Sequence, residues 1–262
     1  MLESLVVEPM SEDFILWRCL HAGPLNRGNI DAPQPNTEVD WPSIRARNIP
    51  FLKKLTRTYG ACAILARDED DVVGTLRFYP KALCSFGDSG AGFCLQQKYP
   101  YGPSDDLAAG EFPPFENLTD RTLFVHCLFI ASTPGDPNRY RRKGLAIRLA
   151  QELIRWAKDQ GWSAIEANAY EEIPMLYAVS GVAGRRFWER LGFKLVHQDT
   201  EPAISGDLLV TLRKDAVAAG LRAENVANRY RLRLDLTGRS VPQGRLLIRK
   251  NPGAPGPLKA VK

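Results

Sequence analysis

The sequence predicts a mixed α/β domain, and its clearest part is a strand, a helix and a second strand in direct succession. Residues Thr122–Ile130 form an almost entirely apolar run, which is typical of a strand that is covered on both faces. Residues Gly144–Gln160 repeat apolar side chains at helical spacing, and Gly161 closes that pattern. Ser163–Ala169 has the pattern of the returning strand, so the two strands are expected to lie parallel with the helix as their crossover.

Apolar runs and turn residues ahead of this unit predict further strands and two helices. The expected strands are Leu5–Val7, Cys62–Ala66 and Val72–Phe78, the last two joined as a hairpin. Ser11 can cap a first helix that continues to about His21. A second helix is expected within Ser43–Tyr59, with an interruption near Pro50.

The C-terminal part of the chain predicts one more helix and the last strands. Helical spacing covers about Ala183–Leu191, and strands are expected at Leu195–His197 and Leu208–Leu212. The strictly alternating segment Arg229–Leu236 is expected to pair with Leu246–Ile248 as a separate hairpin.

This order of elements predicts a domain followed by an extension. Residues 1–214 are expected to form the domain, with a long loop at 81–120, and residues 215–262 a basic extension with a possible hairpin and a flexible end. Residues 216–262 contain ten Lys and Arg but two Asp and Glu, whereas the rest of the chain holds 25 and 28. Such a tail suits an acidic partner, but nucleic-acid binding is not favoured because no aromatic residues interleave with the cations.

Composition excludes several classes of protein. The chain is 44% hydrophobic and 25% charged, which is typical of a globular protein. No run of about twenty apolar residues predicts a membrane span, and the acidic start Met1–Ser4 is not a secretory signal. Five widely spaced cysteines without a C-x-x-C pair, and only three histidines, predict neither a disulfide framework nor a metal site. A cytoplasmic protein is therefore expected.

The basic stretch Arg139–Ala146 lies between the apolar strand and the start of the helix. The free backbone N–H groups at a helix N-terminus attract anions, and Gly144 would let a ligand approach the backbone closely. By itself this stretch is also compatible with an exposed basic turn. The sequence contains neither the P-loop pattern of nucleotide triphosphate sites nor the Gly-x-Gly-x-x-Gly of dinucleotide sites.

The stretch Arg141–Ala146 resembles the Gln/Arg-x-x-Gly-x-Gly/Ala motif of the GNAT superfamily of N-acetyltransferases. Phe187–Phe193 resembles a later segment of the same family, aromatic-Tyr-Glu-Lys-Leu-Gly-Phe, and the order of elements over residues 5–214 is similar as well. The resemblance implies a central, mostly antiparallel twisted sheet with one parallel βαβ crossover and helices on both faces. It also implies transfer of an acetyl group from acetyl-coenzyme A to a primary amine by direct attack on the thioester.

The resemblance further implies where the coenzyme would bind. Leu128 and Ile130 would offer backbone groups to the pantetheine arm, in a gap where their strand splays from the next one, and a backbone N–H there can stabilise the oxyanion. Trp188 belongs to the same expected site, but it stands where the family often has a tyrosine that protonates the leaving thiolate. The pyrophosphate would be held by backbone amides of Arg141, Arg142, Lys143, Gly144, Leu145 and Ala146.

The reaction needs a neutral amine, so a base or a water chain must take its proton. The candidates for the base are Glu166 and His126, with a solvent-facing glutamate and a satisfied core histidine as the structural alternatives. The candidates for the missing acid are Tyr177 and Tyr170, and the alternative is that the thiolate leaves without a general acid. Cys127 is expected to be a buried apolar residue rather than a nucleophile.

The expected partner is a small molecule or peptide that carries an amine. Residues 101–120 contain five acidic residues and no Lys or Arg, which would favour a cationic acceptor if this loop covered the cleft. A homodimer is a further expectation from the family. Two other functions remain open at this point: a catalytically idle module that binds acyl-coenzyme A, and a nucleic-acid-associated protein that acts through its basic tail.

Overall fold

A computed structural model describes residues 5–32, 40–84, 112–173, 175–176 and 181–237, and within them a seven-stranded sheet forms the centre of the molecule. The strands are β1 (Val6–Pro9), β2 (Ala63–Asp68), β3 (Asp71–Pro80), β4 (Thr122–Ile130), β5 (Ala164–Ala169), β6 (Lys194–Thr200) and β7 (Asn228–Asp235). They lie in the order β1-β2-β3-β4-β5-β7-β6. Only β4 and β5 pair in parallel, so the mixed class with a single parallel crossover is confirmed.

Helices cover both faces of this sheet, as expected. The helices are α1 (Trp41–Tyr59), α2 (Leu145–Asp159), α3 (Arg185–Arg190) and α4 (Gly206–Ala218). Helix α2 packs on β1 to β4, where the ring of Trp156 lies 5.0 Å from that of Phe78. Since neighbouring residues of a strand point to opposite faces, Tyr79 faces away from α2, and it meets Phe51 of α1 at 6.1 Å.

The helix α1 runs without a break, so the predicted interruption near Pro50 is wrong. Asp40 caps its start by accepting the backbone N–H of Ser43 at 3.2 Å. Proline removes one intrahelical hydrogen bond, but the buried side chains of Phe51 and Leu55 hold the second half of the helix on the sheet.

The predicted first helix, from Ser11 to about His21, is also wrong. That segment forms turns, and every side chain from Phe14 to Leu20 is buried. A helix on the surface of a domain buries one stripe, whereas an irregular chain can bury a continuous run. Arg18 stabilises this course by donating to the carbonyls of Ala32 at 2.6 Å and Asn29 at 2.9 Å.

A helix, α4, replaces the strand predicted at Leu208–Leu212. Leu212 and Ala216, four residues apart, are fully buried on one side of it, and Val210 is 52% exposed. A short apolar run does not by itself distinguish a strand from a buried helix segment. The two buried side chains complete a second core cluster with Tyr170, Ile173, Leu176, Val182, Ile204 and Val226.

The alternating segment predicted at Arg229–Leu236 is a strand, β7, but it does not belong to an extension. It lies between β5 and β6 and pairs with both, while Leu246–Ile248 fall outside the described residues. The predicted boundary at residue 214 is therefore wrong, because it cuts through α4 and separates the sheet from one of its inner strands. No helix in the described ranges has the length and the apolar character that a membrane crossing requires.

The burial pattern of α4 predicts that truncating Leu212 lowers the stability of the protein more than truncating Val210 does. A strand would place Val210 and Leu212 on the same face, whereas the helix buries Leu212 alone. We expect Leu212→Ala to lower the free energy of unfolding by about 2–5 kcal/mol. Val210→Ala is expected to change it by less than about 0.5 kcal/mol. Urea denaturation of both variants is the test, and equal losses would contradict the helical assignment.

Candidate functional site

A gap opens in the middle of the sheet between the parallel strands β4 and β5. The two strands pair only from Thr122 to Val125, opposite residues 164–167. Beyond that point β4 pairs with β3 alone, and β5 continues alongside β7. The pairing of β3 and β4 also skips His126, because Arg77 lies opposite Cys127 and Phe78 opposite Val125. Such bulges often accompany functional sites in sheets.

The segment 181–184 lies in this gap and reaches the strand β4. All four of its residues are buried, and the carbonyl of Gly181 accepts the backbone N–H of Leu128 at 2.7 Å. Leu128 was the expected donor to a thioester carbonyl, so a ligand would have to take the place of Gly181 there. The carbonyl of Ile130 is also engaged, since it accepts Nε of Arg141 at 3.1 Å.

The turn at the start of α2 has the geometry of an anion site. Gly144 is left-handed, with φ 81°, and Arg142 shares that conformation with φ 58°. The first intrahelical bond of the turn runs from Arg148 N–H to the carbonyl of Gly144 at 3.1 Å, so the N–H groups of residues 145–147 have no acceptor within the helix. A Cβ atom on Gly144 would meet nothing within 4 Å, so the space above the turn is open.

The four cations of the turn divide into two that anchor it and two that are available. Arg139 pairs with Asp68 at 3.3 Å, and Arg141 is held by Ile130. Arg142 and Lys143 are exposed, and no carboxylate of the described residues pairs with them. The available positive charge therefore lies beside the free N–H groups of the helix, whose dipole adds to it.

Tyr140 fixes this turn to the neighbouring strand β2. Its ring is buried, and its hydroxyl donates to Oδ2 of Asp68 at 2.6 Å. Burial first, and the hydrogen bond to the carboxylate second, raise the pKa of Tyr140 to about 12. The tyrosine therefore stays neutral, and Asp68 holds both Tyr140 and Arg139 in place.

Glu166 occupies the centre of an ion-pair cluster instead of facing solvent or a free cleft. Its side chain is 4% exposed, and Oε1 accepts Nζ of Lys81 at 2.8 Å and a guanidinium N–H of Arg233 at 2.9 Å. Its Oε2 is buried and has no hydrogen-bond partner among the residues that the structure describes. Because Lys81 and Arg233 both donate to the same oxygen, the carboxylate is committed to a structural ion-pair cluster.

Two arginines of β7, Arg229 and Arg233, are likewise committed to carboxylates. Arg229 pairs with Asp199 at 2.6 Å and with Glu201 at 3.2 Å. The Arg229 side chain is 16% exposed. Glu201 in turn accepts the hydroxyl of Tyr170 at 2.7 Å.

The other predicted acid and base candidates differ in their surroundings. His126 is half-buried at the bulge of β4, and its ring lies 5.5 Å from that of Tyr79. Burial and the neighbouring Glu201 raise the pKa of Tyr170 far above the usual range, so it is a poor proton donor. Tyr177 lies outside the described residues. Burial also raises the pKa of Cys127 to about 11, which agrees with its interpretation as a buried apolar residue.

Trp188 is a core residue in this structure. It is 1% exposed. Its ring packs edge-on against Phe187 at 5.0 Å and at a tilt against Phe193 at 4.9 Å. Its indole N–H is buried without an acceptor among the described residues.

A pair of side chains that the sequence did not single out lies beside β4. Nδ1 of His21 is in hydrogen-bonding contact with the thiol of Cys19. The imidazole ring lies edge-on to Phe129, with ring centres 4.3 Å apart. The sequence did not predict this contact, because the segment was expected to be helical and residues two positions apart do not face each other on a helix. Within the described ranges no three His, Cys, Asp or Glu side chains form a metal-binding group.

Comparisons with known proteins found similarity to solved structures, several of them acetyltransferases. No family model matches the chain, and no curated protein matches its sequence. Ard1 from Thermoplasma volcanium is 10% identical with a TM-score of 0.43, over 90% of this chain and 99% of that one. An N-acetyltransferase from Staphylococcus aureus Mu50 is 12% identical with a TM-score of 0.43, over 88% and 98%.

A mutant of agmatine N-acetyltransferase in its apo form is 17% identical with a TM-score of 0.42, over 89% of this chain and all of that one. A GNAT family acetyltransferase from Elizabethkingia anophelis with acetyl-CoA bound is 11% identical with a TM-score of 0.40. Because these TM-scores reach at most 0.43 and the identities at most 17%, the similarities carry no argument about the reaction.

The ion pairs of Glu166 predict a loss of stability on substitution. Glu166→Gln leaves Lys81 and Arg233 without their shared anion, and we expect the free energy of unfolding to fall by about 2–4 kcal/mol. The matched control is Asp235→Asn, because Asp235 also pairs with Arg233 but its side chain is 70% exposed. This substitution should change the free energy of unfolding by less than about 1 kcal/mol. Denaturant unfolding measures both; a Glu166→Gln protein as stable as the control would show that the cluster is not structural.

Proposed function

We propose that this chain is an acyl-coenzyme A-dependent N-acyltransferase of the GNAT type, which transfers an acetyl group to the primary amine of a small molecule or peptide. The observation that carries the proposal is the start of α2. Free backbone N–H groups, the open left-handed Gly144, and the exposed Arg142 and Lys143, which no described carboxylate pairs, meet at one turn. A pyrophosphate group is the ligand that this combination of dipole, charge and space fits best.

The gap between β4 and β5 supports the same proposal. Arg141 of the turn donates to the carbonyl of Ile130 at the end of β4, so a linear arm that starts at the turn can run along the strand into the gap. The N–H of Leu128 points into that gap, as its bond to Gly181 demonstrates. When a thioester carbonyl takes the place of Gly181, this N–H can polarise it and stabilise the tetrahedral oxyanion that forms on attack.

The acceptor is proposed to be a cationic amine, because residues 101–120 contain five acidic residues and no Lys or Arg. Agmatine and a peptide that begins with alanine serve only as first probes, chosen from the names of two structurally similar proteins, an agmatine N-acetyltransferase and a ribosomal-protein-S18-alanine N-acetyltransferase from Escherichia coli. Of the acidic residues in 101–120, Glu116 and Asp120 are exposed, and the other three lie outside the described residues. Four described cysteines are free thiols, so we expect the protein to work in a reducing compartment such as the cytoplasm.

Two observations favour a second candidate, the catalytically idle acyl-coenzyme A-binding module. The oxyanion donor of Leu128 is already bonded to Gly181, and Trp188 cannot protonate a thiolate. Release of free thiol from acetyl-coenzyme A in the presence of agmatine separates the two functions. The alternative of a nucleic-acid-binding tail loses support, since Arg229 and Arg233 of that tail are ion-paired in the sheet.

Homodimer formation remains a prediction of the resemblance. The edge strand β6 is exposed almost throughout, and Leu195 and Val196 are 42% and 51% exposed.

A thermal melt with acetyl-coenzyme A tests the binding site. Ligand at about a hundredfold its dissociation constant stabilises the folded state by about 2.7 kcal/mol, which should raise the Tm of the wild type by roughly 5–10 °C. Gly144→Glu places a side chain and a negative charge where the pyrophosphate should lie. We expect this variant to lose the ligand-induced rise.

The matched control for this melt is Gly135→Glu. Gly135 lies in the same loop and has φ 80°, and a Cβ atom on it would also meet nothing within 4 Å, so both variants carry the same backbone strain and charge. The control should keep the rise in Tm. An equal rise in both variants would place the coenzyme elsewhere, and no rise in the wild type would count against the proposed function as a whole.

A further inference from the structure

The segment that contains Cys19 and His21 is held against the ends of β3 and β4. Leu25 forms an isolated pair of backbone bonds with Val72 of β3, at 3.1 and 2.7 Å. A Cβ atom on Gly23 would lie 3.5 Å from the carbonyl oxygen of Ser132, just beyond β4. The chain between these contacts therefore runs alongside the end of β4 that borders the gap.

His21 lies on the face of β4 that α2 does not cover. The side chain of Ile130 faces α2, because it and Leu149 both approach the Cα of Gly74. Side chains alternate along a strand, so Phe129 points to the opposite face, where it meets the imidazole. Phe129 lies between Leu128 and Ile130, the two residues whose backbone groups point into the gap. The imidazole thus lies beside the strand segment that would receive a thioester.

The contact between Cys19 and His21 leaves one ring nitrogen available. Cys19 is buried, whereas His21 is exposed, and the sulfur meets Nδ1. In the tautomer that carries its proton on Nδ1, the ring donates to sulfur, and the lone pair of Nε2 is free to accept a proton. No hydrogen bond to Nε2 of His21 occurs within the part of the chain that the structure describes. In this tautomer the contact with Cys19 holds the orientation of the ring.

We propose that His21, oriented by Cys19, is the proton acceptor for the amine in the reaction proposed above; the inference rests on that proposed function. As the amine nitrogen bonds to the carbonyl carbon, Nε2 takes the proton that the nitrogen loses. The C–S bond then breaks with its electron pair on sulfur, and the imidazolium returns the proton to the coenzyme A thiolate. The products are an amide and free thiol, and one side chain supplies both the base and the acid that Trp188 cannot provide.

The competing groups are less suited to this role. Glu166 is bonded to two cations, and Tyr170 holds its proton through a raised pKa. The two charged or titratable groups that act on His21 are Cys19, from its own segment, and Arg141, from the turn before α2. The hydrogen bond to Cys19 raises the pKa of His21, and the partial desolvation of the ring beside Phe129 and the charge of Arg141 oppose it with a smaller effect. The imidazole is accordingly neutral, and able to accept a proton, only above a pH higher than for an ordinary histidine.

The test compares the three histidines of the chain in matched substitutions to glutamine. The rate of thiol release from acetyl-coenzyme A is measured against pH with agmatine, or with a peptide that begins with alanine where that acceptor reacts faster. We expect His21→Gln to lower kcat/KM by about a hundredfold or more. His197→Gln, at an exposed residue of β6 that pairs with Asp199, should leave it unchanged. His126→Gln tests the candidate at the bulge.

Cys19→Ala separates proton transfer from simple packing. Loss of the sulfur contact lowers the pKa of His21, so the acidic limb of the pH–rate profile should move to lower pH. A merely structural role would lower the rate without moving the limb. Melting curves with and without acetyl-coenzyme A, recorded for every variant, should show the wild-type rise in Tm and so confirm that folding and coenzyme binding survive.

Three outcomes would overturn the inference. His21→Gln could react within twofold of the wild type, His126→Gln could give the large loss instead, or the Cys19→Ala profile could keep its limb in place. For the wild type, a rise in Tm without release of thiol would also contradict the role of His21. The idle module that binds acyl-coenzyme A would then be the remaining function. The absence of any rise in Tm would instead mark failure of the proposed function itself, so the two failures are distinguishable.

Discussion

The separation of the parallel strands β4 and β5 is the constraint on which the rest of this structure depends. Four residue pairs join the strands, and their main chains then part while each keeps its antiparallel neighbour. A parallel sheet that stayed closed would use every backbone group of β4 in its ladder and offer none to a ligand. Because the sheet opens, the backbone of Leu128 and Ile130 becomes a polar surface in the interior of the domain.

The opening is compatible with stability because other parts of the chain satisfy the groups it releases. The carbonyl of Gly181 accepts one backbone N–H and Arg141 donates to one carbonyl, so the described gap contains protein partners for both residues of β4. Buried main-chain groups without partners would cost about 1–3 kcal/mol each. In the proposed reaction, a thioester carbonyl would have to replace the carbonyl of Gly181 as the acceptor of the Leu128 N–H. That exchange limits the net free energy gained from this one contact.

Charge is distributed in keeping with this architecture. On the face where Glu166 lies, cations of β7 are used internally, in pairs that hold the last strands together. At the start of α2, by contrast, Arg142 and Lys143 remain exposed beside an uncapped helix end. The net charge of +5 therefore says little about function, because the position of two unpaired cations matters more than the total.

The sequence predicted the parts of this fold in which local pattern and packing agree. The strand Thr122–Ile130, the helix α2 and the returning β5 each have a strong period and a matching burial, and all three were predicted within a residue or two. The failures share a different cause. Segment 14–20 is buried without regular structure, and α4 and β7 take their places from contacts with residues far away in sequence, such as Tyr170 and Glu166.

The local part of the candidate site could be predicted from the sequence, whereas its long-range contacts could not. The turn at Gly144 is local, so its residues could be identified from a six-residue motif. The engagement of Leu128 by Gly181 and the pairing of Glu166 with Lys81 join residues more than 50 positions apart, and no local pattern encodes them. The contact of His21 with Phe129 is of the same kind, because it depends on how the irregular segment passes the end of β4.

Amide hydrogen exchange in the first turn of α2 is the most direct test of the central claim, that this helix end holds the coenzyme. The N–H groups of Leu145, Ala146 and Ile147 precede the first intrahelical bond, so in the free protein they should exchange rapidly. Saturating acetyl-coenzyme A should slow their exchange by about tenfold or more, because the oxygens of a bound phosphate would accept hydrogen bonds from these N–H groups. Unchanged exchange at these three amides, with protection elsewhere in the chain, would contradict that claim.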